Sequence, residues 1–184
     1  MLPNILKYKD GSTFQLGKEW EKYLERIGEY KNLIDVDFIS QICFQHFDRF
    51  NEYFPLFDLE IHSVARIEMK TKDIYENIRY DNNSKIDFWY FHIDEYLESR
   101  KRANCEVLLY AVQNGTWSFP PVVIKNNLAR SLGCQEYGKP FHLIEGTHRI
   151  SYVKRLFELG KIEADIKHKL LLIRKNDIDF REID

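Results

Sequence analysis

The run Phe141-His142-Leu143-Ile144-Glu145-Gly146-Thr147-His148-Arg149 reads as a strand, a turn and the start of a helix in close succession. Phe141 to Glu145 is apolar enough for a β-strand, and His142 alternates with Phe141 and Leu143 on a half-exposed, structural face. Gly146 lets the turn come close to a ligand with no Cβ in the way. Beyond it, Ile150, Val153, Leu156 and Phe157 recur at helical spacing and predict a helix over 147–159, with Ser151, Lys154, Arg155 and Glu158 facing water and Gly160 as its stop. The first turn of such a helix has unpaired N–H groups and a partial positive charge. His148 adds a donor, and Arg149 adds donors and a permanent charge, so the turn suits a phosphate or a carboxylate. The same residues also serve as ordinary strand-to-helix punctuation, with Thr147 as the cap.

Outward from the turn, Pro120 to Lys125 is a proline-led, β-branched strand, residues 126–140 are a loop with Gly133, Gly138 and Pro140, and His168 to Arg174 is a final strand. Ile93 to Gln113 carries the longest helical period, stopped by Gly115 and open to a break near Asn104. Glu60 to Met69 reads as a strand and Lys70 to Ile78 as a polar turn or short helix. Asp81-Asn82-Asn83-Ser84 reads as a loop, and the chain ends in a polar tail from Lys175. Residues 1–58 form an aromatic, charged leader. It holds a helix over 18–30, with Trp20, Tyr23, Leu24 and Ile27 on one face, and another over 37–54, with Ile39, Ile42, Cys43, His46 and Phe50 on a stripe. His46 is read there as a core or boundary histidine.

The chain has 184 residues, 44% of them hydrophobic and 15% aromatic, which supports one ring-rich domain with an appendage. Its formal net charge of −2 gives nucleic acid no general attraction. No apolar run is long enough to span a membrane and no amino-terminal signal pattern is visible, so the expectation is a cytoplasmic protein. Cys43, Cys105 and Cys134 are odd in number and widely spaced, which argues for reduced thiols and against a disulfide framework or a zinc site.

The strand ending Glu145-Gly146-Thr147-His148-Arg149, its helix and the short apolar strand after it resemble the ParB/sulfiredoxin superfamily, which has a Gly-x-His-Arg or Gly-x-Arg-Arg turn at that place. Leu108 to Gly115 followed by Pro120-Pro121-Val122-Val123-Ile124 is similar to the family's helix, glycine, proline and strand box, and Ser63 to Asn77 to its opening strand and following segment. The resemblance covers roughly residues 60–175. It implies an α+β fold with a small mixed sheet packed with helices, a domain over 59–175, a helical extension over 1–58 and a polar tail over 176–184. It also implies that Gly146, Thr147, His148 and Arg149 contact the phosphates of a nucleotide, either ATP, ADP or CTP with Mg2+. Glu145 stands where the family's nucleotide-dependent serine kinases carry an acidic residue. Thr147 stands where sulfiredoxins carry their reactive cysteine, so peroxiredoxin repair is not expected. No helix-turn-helix domain of the partition proteins is visible after the core. Ile150 replaces the second arginine linked to CTP binding.

The first expectation is therefore a nucleotide- or phosphate-binding protein, as an NTP-dependent hydrolase or phosphotransferase with Glu145 and His148 as its catalytic pair. Magnesium would take Glu145 and phosphate oxygens. Glu68, Asp73 and Glu76 are candidate bases among which the sequence does not choose, and Lys125 and Arg130 could line the mouth. Second comes a non-catalytic interaction module of the defence or immunity type, with residues 1–58 binding a partner or a second copy. A DNA-binding or nuclease-like protein comes third.

Overall fold

The computed structural model describes residues 1–8, 18–80, 87, 89–135 and 137–176. The Asp81–Ser84 loop and the tail from 177 lie outside the described residues. The fold is α+β. Five strands form a mixed sheet: β1 (His62–Lys70), β2 (Ile78–Arg79), β3 (Val122–Lys125), β4 (Phe141–Glu145) and β5 (Lys167–Lys175), in the order β1-β5-β3-β4-β2. β5 runs antiparallel to β1 and parallel to β3, while β4 runs antiparallel to β3 and parallel to β2.

Position in the sheet explains the strand sequences. β5 lies between two neighbours with both faces covered, and Leu170, Leu171, Leu172 and Ile173 are all buried, as is the Val122-Val123-Ile124 run of β3. β1 is an edge strand, and its outer half alternates in exposure.

Alternate residues of β3 and β5 feed two separate cores. Val123, Leu170 and Leu172 join Leu143 against α5 (Thr71–Asn77), α6 (Tyr90–Ser99), α7 (Glu106–Asn114) and α9 (Thr147–Glu158). Val122, Ile124, Leu171 and Ile173 point the other way, into residues of the leader. The leader comprises α1 (Lys18–Arg26), α2 (Tyr30–Leu33), α3 (Val36–Phe38), a π-helical stretch (Ile39–Phe44) and α4 (Phe47–Tyr53). Its rings Tyr23, Phe38, Phe50, Phe54 and Phe57 are buried, each worth roughly 1.5–3 kcal/mol of transfer free energy as a fully buried large apolar side chain. The Tyr23 hydroxyl donates to the Leu6 carbonyl at 2.7 Å, which ties the amino terminus to α1. The described residues of 1–58, with Leu128, Ala129 and Leu132, thus cover one face of the sheet.

The structure departs from sequence expectation in several places. The segment expected as one helix over 37–54 breaks into α3, the wider π-helical stretch, in which all six side chains are buried, and α4. The expected loop after β3 begins with a short helix, α8 (Asn126–Ser131). The long candidate over 93–113 parts between Ser99 and Glu106, a stretch that holds the break expected near Asn104, into α6 and α7, with Arg100 at φ 58°. Ser151 and Lys154, expected in water, are buried, because α9 is packed against α5, α6 and α7. Lys154 is satisfied there by donating to the Ile78 carbonyl at 2.8 Å and the Tyr75 carbonyl at 3.0 Å. His142 is also buried rather than half-exposed, and accepts from the Gly138 N–H.

Candidate functional site

β4 and α9 fall where the sequence puts them, and the turn between them carries the site. Gly146 adopts φ 106° and is itself the cap of α9; Thr147 is the first helical residue, not the cap. A Cβ at Gly146 would lie 2.8 Å from the Pro121 Cβ and 3.2 Å from the Arg149 Nε, so both the backbone angle and the space require glycine. No side chain caps the helix, and the first intrahelical bond runs from the Ile150 N–H to the Gly146 carbonyl at 3.0 Å. The N–H groups ahead of Ile150 therefore have no intrahelical acceptor.

This turn opens on a cleft of about 300 Å³. Gly146, His148, Arg149 and Glu145 all line it; Thr147 is half-buried and does not. The cleft is built from both layers. Ser40, Gln41 and Gln45 come from the leader side, Cys105 and Tyr152 from the helical side, and Ser118 and Phe119 from the segment that leads into β3.

Arg149 is folded down inside the site. Its Nη1 donates to the Phe119 carbonyl at 3.0 Å and its Nη2 to the Glu145 carboxylate at 3.3 Å, leaving the side chain 11% exposed. Burial pulls the guanidinium below its ordinary pKa and Glu145 opposes that pull, but an arginine remains charged. The other Glu145 oxygen lies 3.6 Å from the His46 Nε2, so one carboxylate bridges an α9 cation and a leader imidazole. His46 is a boundary residue as expected, with a contact to the site that spacing along the chain does not show.

His148 is exposed and stacks on Trp89, with centroids 4.1 Å apart and planes 24° apart. Partial burial lowers its pKa, which favours a neutral ring near pH 7. Behind it the Tyr152 hydroxyl and the His92 Nδ1 are 2.6 Å apart. Tyr152 is buried, and burial together with a hydrogen bond to Cys105 raises its pKa. Trp89, His92, Tyr152, Cys105 and Gln41 were not read from sequence as site residues. Gln41, Cys105 and the Trp89–His92 pair reach the turn from three distant segments, Tyr152 stands further along α9 itself, and no local motif marks them.

Glu145 is the one carboxylate among the cleft-lining residues, and no group of three or more His, Cys, Asp or Glu side chains is arranged to hold a metal ion among the described residues. This donor set fits a magnesium ion carried mainly by phosphate oxygens and does not form a protein cage. Glu68 and Glu76 are on β1 and α5, and neither they nor Asp73, Lys125 or Arg130 line the cleft.

The chain matches no family model, no curated protein and no solved structure. No helix among the described residues is long and apolar enough to cross a membrane.

Proposed function

We propose that this is a cytoplasmic ParB/sulfiredoxin-like protein that binds the phosphates of a nucleotide at the start of α9. One observation carries the reading. The Gly146 turn opens the uncapped end of a twelve-residue helix, with Arg149 beside it, on a cleft large enough for a ligand. The order of proline-led β3, β4, turn, α9 and β5 supports the resemblance, and cysteines in the thiol form support a reducing compartment.

An incoming phosphate competes with Glu145 for Arg149. The 3.3 Å bond to Glu145 is the longer of the two guanidinium contacts and is the one to exchange, while the Phe119 carbonyl keeps the side chain in place. Glu145, released next to the phosphates, is the carboxylate that would hold a magnesium ion, which would neutralise phosphate charge there. On the hydrolase or phosphotransferase reading, Glu145 is the group that meets the reacting phosphate.

Thermal shift with ATP, ADP and CTP, with and without magnesium, tests this. Ligand at 100 times its dissociation constant stabilises the native state by about 2.7 kcal/mol. The melting temperature should rise with at least one nucleotide, and that rise should vanish in Arg149→Ala. Flat melting curves at millimolar ligand, or an equal rise in the variant, remove the proposal.

A further inference from the structure

Two features of the cleft are poorly matched to bare phosphate. The first is aromatic. His148 lines the cleft as an exposed ring already stacked on Trp89, with the Tyr152 ring edge-on behind it at 6.0 Å. A second planar group can extend that stack, and a neutral imidazole can accept it without desolvating a charge.

The second is polar. Gln41 lines the cleft and is 5% exposed. Its Nε2 donates to the Pro120 carbonyl at 3.0 Å and the Asp37 carbonyl at 3.1 Å. Those two acceptors fix the amide orientation, since turning it over would set its oxygen against two carbonyls. Its Oε1 is then buried with no partner. An unmet buried acceptor is destabilising and asks for an N–H or O–H donor. Polyphosphate at neutral pH offers acceptors almost exclusively. A nucleoside offers a flat base together with hydroxyl and amino donors.

We infer that the ligand is recognised through its nucleoside part, with the base stacked on His148 and a hydroxyl or amino donor meeting the Gln41 Oε1. This rests on the phosphate reading of the same cleft and adds to it which part of the nucleotide the cleft discriminates. Stacking of a base on an aromatic side chain is worth about 1–3 kcal/mol, which is roughly a 5- to 150-fold gain in affinity.

Calorimetric titration of the full chain with Mg-ATP and with Mg-tripolyphosphate separates the two readings. ATP should bind at least about tenfold more tightly than tripolyphosphate, a gap of about 1.4 kcal/mol. That ratio should shrink towards one in His148→Ala and narrow in Gln41→Met, each variant first shown to melt cooperatively. Equal affinity for the two ligands in the wild-type chain overturns the nucleoside inference and leaves the phosphate site standing. A preference that survives both substitutions also overturns it, and binding of neither ligand overturns both.

Discussion

The two faces of the sheet are built differently. The leader face is packed with rings, Phe38, Phe44, Phe47, Phe50, Phe54 and Phe57 among them, whereas the other face is mostly aliphatic, with Ile74, Ile93, Leu108, Val153 and Leu156 against Leu143. The helical face presents its helices in regular succession. The leader face is interrupted by the π-helical stretch, yet the sheet buries residues against both. The candidate site lies where the two layers meet at the end of β4, and Glu145 joins them through Arg149 on one side and His46 on the other. The lesson is that the leader acts as a wall of the site as well as a wall of the core.

The largest effect follows from removing the leader. A chain of residues 59–184 exposes Val122, Ile124, Leu171 and Ile173, all buried in the full chain. It should show no cooperative melting by circular dichroism. A sharp transition in the shortened chain would show that the helical face folds alone and that residues 1–58 are a true appendage.

Acid acts on the helical face. His168 on β5 is 1% exposed, held between the Thr71 Oγ1 at 2.8 Å and the Thr116 Oγ1 at 2.9 Å, and burial pulls its pKa down to about 4. The unfolded chain takes up its proton near pH 6.5 and the native state does not. The native state is therefore unpenalised above about pH 6.5, loses stability as pH falls from there towards 4, and is penalised by about 3 kcal/mol below that. Urea titrations across pH 7 to 4 should show the decline, and His168→Gln should flatten part of it. An unchanged slope in the variant would move the acid sensitivity elsewhere.

A smaller effect sits at the junction. Gly146→Ala forces a residue with a Cβ to φ 106° and into Pro121, at a cost of about 1–3 kcal/mol in denaturant titrations. A neutral result would mean that the turn relaxes without loss. Smallest of all is the exposed tie between the layers at Arg66, which forks to Asp35 at 2.7 Å and Asp37 at 2.7 Å while 45% exposed. Arg66→Ala should cost less than about 1 kcal/mol, and less still in high salt.

Legibility in the sequence follows the same division. The strand over 141–145 and the helix from 147 were readable because apolar alternation, a glycine and a helical period stand in a row there. The four turn residues and Glu145 were therefore named, and all but Thr147 line one cleft. What was not readable depends on contacts remote in sequence. Lys154 looks like a surface residue until the carbonyls of Tyr75 and Ile78 are brought over it. α8 is too short for a helical period to show. The π-helical stretch keeps an apolar pattern that reads as ordinary helix, while its wider turns bring Gln41 to the Pro120 carbonyl and so to the site. The anchoring of Arg149 by Glu145 and Phe119 also escaped the sequence, which shows a free cation where the fold has a paired one.

The central claim, a nucleotide site shared by both layers, is tested most directly by amide NMR during titration with Mg-ATP. The predicted result is concerted movement of the Gly146, His148 and Arg149 backbone amides together with the side-chain amide of Gln41. Saturating Mg-ATP that leaves these signals in place, or moves only signals remote from the start of α9, contradicts the account.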